Sequence, residues 1–256
     1  MATGRSVTKH SRFYMDGYDL SGYARNFGPL SWTYDEGDAT TLSDTIKNVL
    51  PNHPTITISA LNGLFDSTAT SGIHAVASGA GVIRTVMCPI GIRAAPAIGD
   101  PVFCGQFEQL GYVEEGAEDV GVNIPFGGWA DDATSLTYDQ PWGALIHHNS
   151  AATAANSTTG EGVDQIGAAS TTGGYMVYQV FSGSGTVTIS IDESSDDSSY
   201  GALTDATTGA IDAGTVAGGI VALAHDAAVK QYLRWQIAAG GGFSTVTFAL
   251  AFVRGR

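Results

Sequence analysis

Apolar and polar residues alternate one for one along much of this chain, the period of a strand with one buried face. In Thr186–Asp192 (TVTISID), Val187, Ile189 and Ile191 share one face, while Thr186, Thr188 and Ser190 share the other. Ser244–Val253 (STVTFALAFV) sets Val246, Phe248, Leu250 and Phe252 on one side. KQYLRWQI sets Leu233, Trp235 and Ile237 against Tyr232, Arg234 and Gln236, and Ile56 and Ile58 alternate in Thr55–Leu61. Val82–Gly91 and Asp100–Glu115 alternate less strictly and read as more central strands, the second bent at Gly105 or Gly111. Near the start, Arg12–Phe27 (RFYMDGYDLSGYARNF) reads as two extended segments around a tight turn at Asp16–Gly17.

Helical signals are few. TTLSDTIKNVLP carries Ser43 as an N-cap, Ile46, Val49 and Leu50 at helical spacing, and Pro51 as a stop, which predicts a short helix. One or two helical turns are also expected after Ser71. The fold class is all-β with one or two short helices. Two blocks are expected: residues 1–128, then a polar, turn-rich linker over 129–140, then residues 141–256 as a second β-sandwich. The second block begins with PWGALIHHNS and passes through an Ala/Ser/Thr/Gly-rich stretch over 150–174, too long for an ordinary loop. It is read as disordered, or as an arm that gains order against a partner. The core of the second block is expected to comprise Val187, Ile189, Ile191, Leu233, Trp235, Val246, Phe248 and Phe252.

Composition narrows the classes. Apolar residues make up 43% of the 256, which argues for a folded chain, and charged residues only 14%, a thin coat suited to a surface covered by neighbours. Net charge is −14 and is spread along the chain: residues 1–130 hold 7 Lys/Arg against 13 Asp/Glu (−6), and residues 131–256 hold 4 against 12 (−8). With no basic tail or stripe, a protein that grips phosphates is disfavoured. The N-terminus lacks the apolar core of a secretion signal, and no apolar run approaches the length of a bilayer span. Cys88 and Cys104 each sit in an apolar run; they could pair, but are read as buried free thiols.

Catalytic and metal chemistry find little support. His147 and His148 are neighbours, and neighbours on a strand face opposite ways, so they chelate poorly. The other histidines are scattered without a second ligand at metal-like spacing. Asp192–Gly201 (DESSDDSSYG) lacks the glycine and the closing glutamate of a calcium loop and reads as an acidic turn. No nucleophile elbow, phosphate loop or dinucleotide fingerprint occurs. No catalytic residue, metal site or cofactor is assigned.

The stretch FYMDGYDLSGYARNFG, followed by LSWTYDEGDATTLSDTIKNVLPNHPTITISALNGLFD, resembles the N-terminal part of the major tail (tail tube) proteins of long-tailed bacteriophages. The likeness covers roughly residues 10–128 and lies in the order of strands and turns. The second block is similar to β-sandwich modules appended to phage structural proteins, most clearly in YLRW and STVTFALAFVRG. The resemblance implies a tail-tube-like sandwich or barrel whose subunits join edge to edge into stacked rings, a passive conduit for the genome. It implies as partners further copies of the chain and other tail proteins, with DNA in transit only and no membrane. It implies location in the virion tail after assembly in the bacterial cytoplasm. Tyr14, Tyr18 and Tyr23 are then candidate subunit contacts, and Asp35, Glu36, Asp38, Glu108, Glu114 and Glu115 candidate channel-lining acids. Two other readings stay open: a capsid decoration protein, and a carbohydrate-binding module should Trp129, Trp142 or Trp235 be exposed.

Overall fold

A computed structural model describes residues 8–92, 94–116, 120–129, 138, 140–153, 163–164 and 169–256. The first block contributes β1 (Tyr14–Met15), β2 (Tyr18–Asp19), β3 (Ala24–Phe27), β4 (Leu30–Asp38), β5 (Val49–Ile58), β6 (Leu61–Leu64) and the helix α1 (Ile73–Ala77). It continues with β7 (Val82–Pro89), β8 (Pro101–Gln109), β9 (Val113–Glu115), β10 (Gly121–Ile124) and β11 (Phe126–Trp129). The second block contributes β12 (Trp142–Thr153), β13 (Val163–Asp164), β14 (Gly174–Gly183), β15 (Thr186–Ser194), β16 (Gly201–Asp212), β17 (Ala217–Ala222), β18 (Tyr232–Ala239) and β19 (Thr245–Arg254).

One antiparallel sheet runs β17-β14-β19-β12-β8-β7-β1-β2, with β11 added beside β8. It crosses the expected boundary between the blocks, because β12 pairs with β8 through Trp142 to Phe103 and Ala144 to Pro101. The sheet curls into a half-barrel. Because side chains alternate across a strand, each strand feeds two cores. Phe13 and Met15 enter one core while Tyr14 between them enters another, and Phe248 and Phe252 are separated in the same way from Ala249 and Ala251.

Inside the curl, Tyr14, Met87, Cys104, Leu145, Tyr175 and Val253 pack together from both blocks. On the outer face of the first block, the sheet β3-β6-β10-β9 and α1 cover Phe13, Phe103 and Phe107. On the outer face of the second, the sheet β13-β18-β15-β16 covers Phe248, Leu250 and Phe252. All eight residues expected in the second core lie in it, fully or nearly buried. Burying side chains of this size stabilises by about 1.5–3 kcal/mol each, which is why period 2 governs these strands.

Two expectations change. The segment at Ser43 is not a helix: Leu30–Asp38 and Val49–Ile58 pair with each other as a hairpin, and 39–48 form its tip. Local side-chain bonding decides this. Asp38 accepts the Thr40 N–H at 2.9 Å and Asp44 accepts the Thr41 N–H at 2.7 Å, turn geometry that competes with helix. The stretch 150–174 is also partly strand. Its first four residues complete β12, Val163–Asp164 pair with β18, and Ser170 bridges Val229. Residues 154–162 and 165–168, like most of the linker over 129–140, lie outside the described residues.

Candidate assembly surfaces

The opening segment locks the two blocks together. Its turn places Asp16 at φ 50 and Gly17 at φ 84, a conformation that suits glycine. Gly17 is required twice over, because a Cβ there would stand 2.4 Å from the Ala217 nitrogen and 2.5 Å from the Val180 oxygen. Gln179 reaches across from β14, accepting the Gly17 N–H at 2.5 Å and donating to Thr85 O at 2.9 Å. Asp16 accepts from the Arg84 guanidinium at 3.0 Å and from the Thr85 N–H at 2.8 Å. The two ends of the long sheet are thus brought together, β2 beside β14 and β17 beside β7.

This placement corrects one candidate contact. Tyr14 is completely buried, edge-on to Phe181, with its hydroxyl 3.2 Å from His148 Nε2. Its ring is used up inside the subunit, and burial pushes its hydroxyl pKa far above the ordinary value. Tyr18 and Tyr23 are half-buried and line a groove of about 580 Å³ with Asn149, Phe181 and Thr215.

The hairpin β4–β5 projects from the first block. Its base is anchored by Ile56, Ile58, Leu30 and Trp32 in the first core. Its outer part exposes Tyr34, Leu42, Ile46, Val49 and Leu50. Isolated hairpins are marginal in water, and apolar side chains at such a tip favour burial against something else. Pro51 and Pro54 interrupt the donors of β5, whereas β4 has no proline.

The six candidate acids fall in three places. Asp35, Glu36 and Asp38 are exposed on β4, Glu108 is exposed on β8 opposite Ile83, and Glu114 and Glu115 are exposed on β9, an edge strand. Hydrogen bonds from Thr40 hold the Asp38 carboxyl below its usual range, and bonds from Thr41 do the same for Asp44. Asp38 and Asp44 therefore keep their charge further into acidic solution. Lys47 pairs with Glu36 at 3.5 Å, both well exposed.

A second feature was not legible in the sequence. Lys9, Arg12 and Arg25 line one cleft of about 260 Å³ with Phe13, Ala24 and Phe27, and no carboxylate is among its lining residues. Arg25 and Phe27 belong to β3, an edge strand of its sheet. Three of the chain's 11 basic residues meet here because an N-terminal turn, the segment before β1 and β3 converge; no sequence spacing announces that.

His147 is buried, stacked on Phe248 at 3.9 Å and 7°, with Nδ1 2.9 Å from Phe248 O. His148 turns the opposite way, to Tyr14. Among the described residues no three His, Cys, Asp or Glu side chains are grouped to hold a metal. Cys88 and Cys104 are buried free thiols in different cores. In the acidic turn, Asp196 accepts from Ser194 Oγ and from the Ser198 and Ser199 N–H groups, and Arg234 lies over the Tyr200 ring. Trp235 is buried, Trp142 is half-buried and edge-on to Phe103, and the Trp129 side chain lies outside the described residues. No helix among the described residues is long and apolar enough to cross a membrane.

Fold and surfaces together define an all-β chain in which two sandwiches share a curled sheet and a hairpin rooted in the first core exposes its outer part. No protein-family model matches the chain, and no curated protein matches it. Among solved structures, it is similar to the crystal structure of the Dit protein of phage SPP1, described as a paradigm of the hub adsorption apparatus in phages infecting Gram-positive bacteria. Identity is 13% and the TM-score 0.35, over 95% of this chain and 99% of that one.

Proposed function

We propose that this protein is a virion structural subunit that polymerises as stacked rings into a phage tail tube, a passive conduit without catalytic turnover. The observation that carries the reading is the projecting hairpin, whose apolar tip at Leu42, Ile46 and Leu50 finds no cover within the described chain. Such a surface suits a subunit, and the order of strands and turns over residues 10–128 points to the tail-tube family by resemblance. Partners are then further copies of the chain and other tail proteins, with the DNA passing through.

The acidic balance fits a conduit. Two opposite unit charges 4 Å apart attract by about 1 kcal/mol even in water, so a basic lining repeated along a tube would hold the genome back. Asp35, Glu36, Asp38, Glu108, Glu114 and Glu115 are the candidates for the lumen, and Tyr18 and Tyr23 for subunit contacts. Electron microscopy of the concentrated protein tests the reading. Rings or tubes with an open channel support it; a small oligomer that binds capsids supports a decoration protein instead. Charge reversal of the six acids is expected to slow DNA release from reconstituted particles.

A further inference from the structure

We infer that the chain carries a saccharide site, in a cavity of about 370 Å³ between the first and second cores on the outer face of the long sheet. Trp142 on β12 packs against the first core, Phe252 on β19 lies in the second, and both line the cavity. Between them stands Ala144, paired with Phe252 on one side and with Pro101 on the other. Its methyl group fills little of the seam between two layers of large side chains, and the hollow is what remains. A volume of that size suits a small sugar. The site goes beyond the tube reading and does not depend on it.

The polar groups select the ligand. Gln140 lines the cavity and is only 8% exposed, yet its Oε1 has no hydrogen-bond partner. The rest of the residue is committed: Nε2 donates to Trp142 O at 3.2 Å, and the backbone carbonyl accepts from the Tyr175 hydroxyl at 2.5 Å. One acceptor is left over, and a buried acceptor without a donor is costly. The terminal torsion of glutamine is soft, so a modest rotation turns Oε1 toward an entering donor. Ser170 adds a hydroxyl, 3.5 Å from Arg254 Nη1, whose own proton finds no acceptor among the described residues. Arg254 is spent, donating to the Val229, Lys230 and Gln231 carbonyls, so it walls the cavity without seeking an anion. A ligand must then bring a donor to Gln140, an acceptor to Ser170 and an apolar face to Trp142 and Phe252. A pyranose brings all of these, with hydroxyls at its rim and C–H groups on its ring faces. Phosphate lacks the apolar face, and a hydrocarbon lacks the donor. The Trp142 ring is held edge-on to Phe103 at 5.1 Å and 76°, so its orientation is set before a ligand arrives.

Saturation-transfer NMR on the full-length chain tests the site, with glucose, galactose, mannose and N-acetylglucosamine as probes. At least one is expected to bind with a dissociation constant of roughly 1–10 mM. Gln140→Leu keeps the bulk of the side chain and removes the orphaned acceptor. It is expected to weaken that sugar about tenfold, the worth of one hydrogen bond, without lowering the melting temperature. Ala144→Leu grows into the hollow and is expected to abolish binding. Should either substitution unfold the chain, tryptophan fluorescence decides: the sugar is expected to change the emission of the unsubstituted protein, and Trp142→Phe to erase that change. No transfer to any of these sugars, no sugar-induced change in emission, or binding unaltered by the substitutions overturns the site. Displacement of the bound sugar by an equal concentration of inorganic phosphate also overturns it, and marks the lining residues Arg254 and Arg256 as an anion site instead.

Discussion

Asp16 and Arg84 meet at 3.0 Å, both largely shielded from solvent, although 68 residues separate them. Arg84 also donates to Gln109 Oε1 and to Val76 O, so one guanidinium ties the opening turn, β8 and the end of α1. Replacing Arg84 with Met is expected to cost about 2–4 kcal/mol, because three acceptors lose a charged donor in a shielded place. Urea denaturation of the full chain measures this.

Gly17→Ala is expected to destabilise by roughly 2–4 kcal/mol. Positive φ accounts for about 1–2 of this and the collision with Ala217 and Val180 for the rest. Gly22→Ala is the control, since nothing lies within 4 Å of its Cβ position. A thermal melt in which both variants fall equally would refute the seating of the turn.

His147 gives the fold a defined acid sensitivity. Burial, the largest cause, lowers its pKa from 6.5 to about 4, against a smaller opposing effect of its bond to Phe248 O. Above pH 6.5 neither state binds the proton. Between 6.5 and about 4 the unfolded chain takes a proton that the folded chain refuses, so stability falls as pH falls, and the loss levels off below about 4. From pH 7 to pH 5 the expected loss is roughly 2 kcal/mol. His147→Phe should flatten that part of the stability curve, whatever its effect at pH 7.

Strand period made the second core readable residue by residue, because Val187 to Ile191 and Val246 to Phe252 obey alternation without interruption. The hairpin tip was misread for an equally physical reason. Ser43 with Ile46, Val49 and Leu50 copies helix spacing, and only the Asp38–Thr40 and Asp44–Thr41 bonds disclose a turn. Tyr14 could not be told from Tyr18 or Tyr23 by type; being buried follows from facing the inside of a curl that tertiary pairing creates. The basic cleft stayed hidden because a net charge of −14 masks three cations brought together only by folding.

The division into two blocks is also open to test. A fragment of residues 141–256 keeps the whole of the second core, so we expect it to melt cooperatively. It also bares Leu145, Tyr175 and Val253, which rest on Tyr14, Met87 and Cys104 in the full chain. Its midpoint should therefore be lower and its affinity for a hydrophobic dye higher. A fragment with no cooperative transition would deny the second block independence.

β19 comes latest in chain order among the strands of the long sheet, yet lies in its interior, between β12 and β14. Until residues 245–254 are made, β12 and β14 have no common neighbour, and the seat of the Gly17 turn on β14 and β17 is not held against β7. Closure must wait for pairings between distant parts of the chain, which makes folding slow. The delay falls on the second core and on closure of the curl, since the first core draws its buried residues from positions 13 to 126 and has them all before β19 exists.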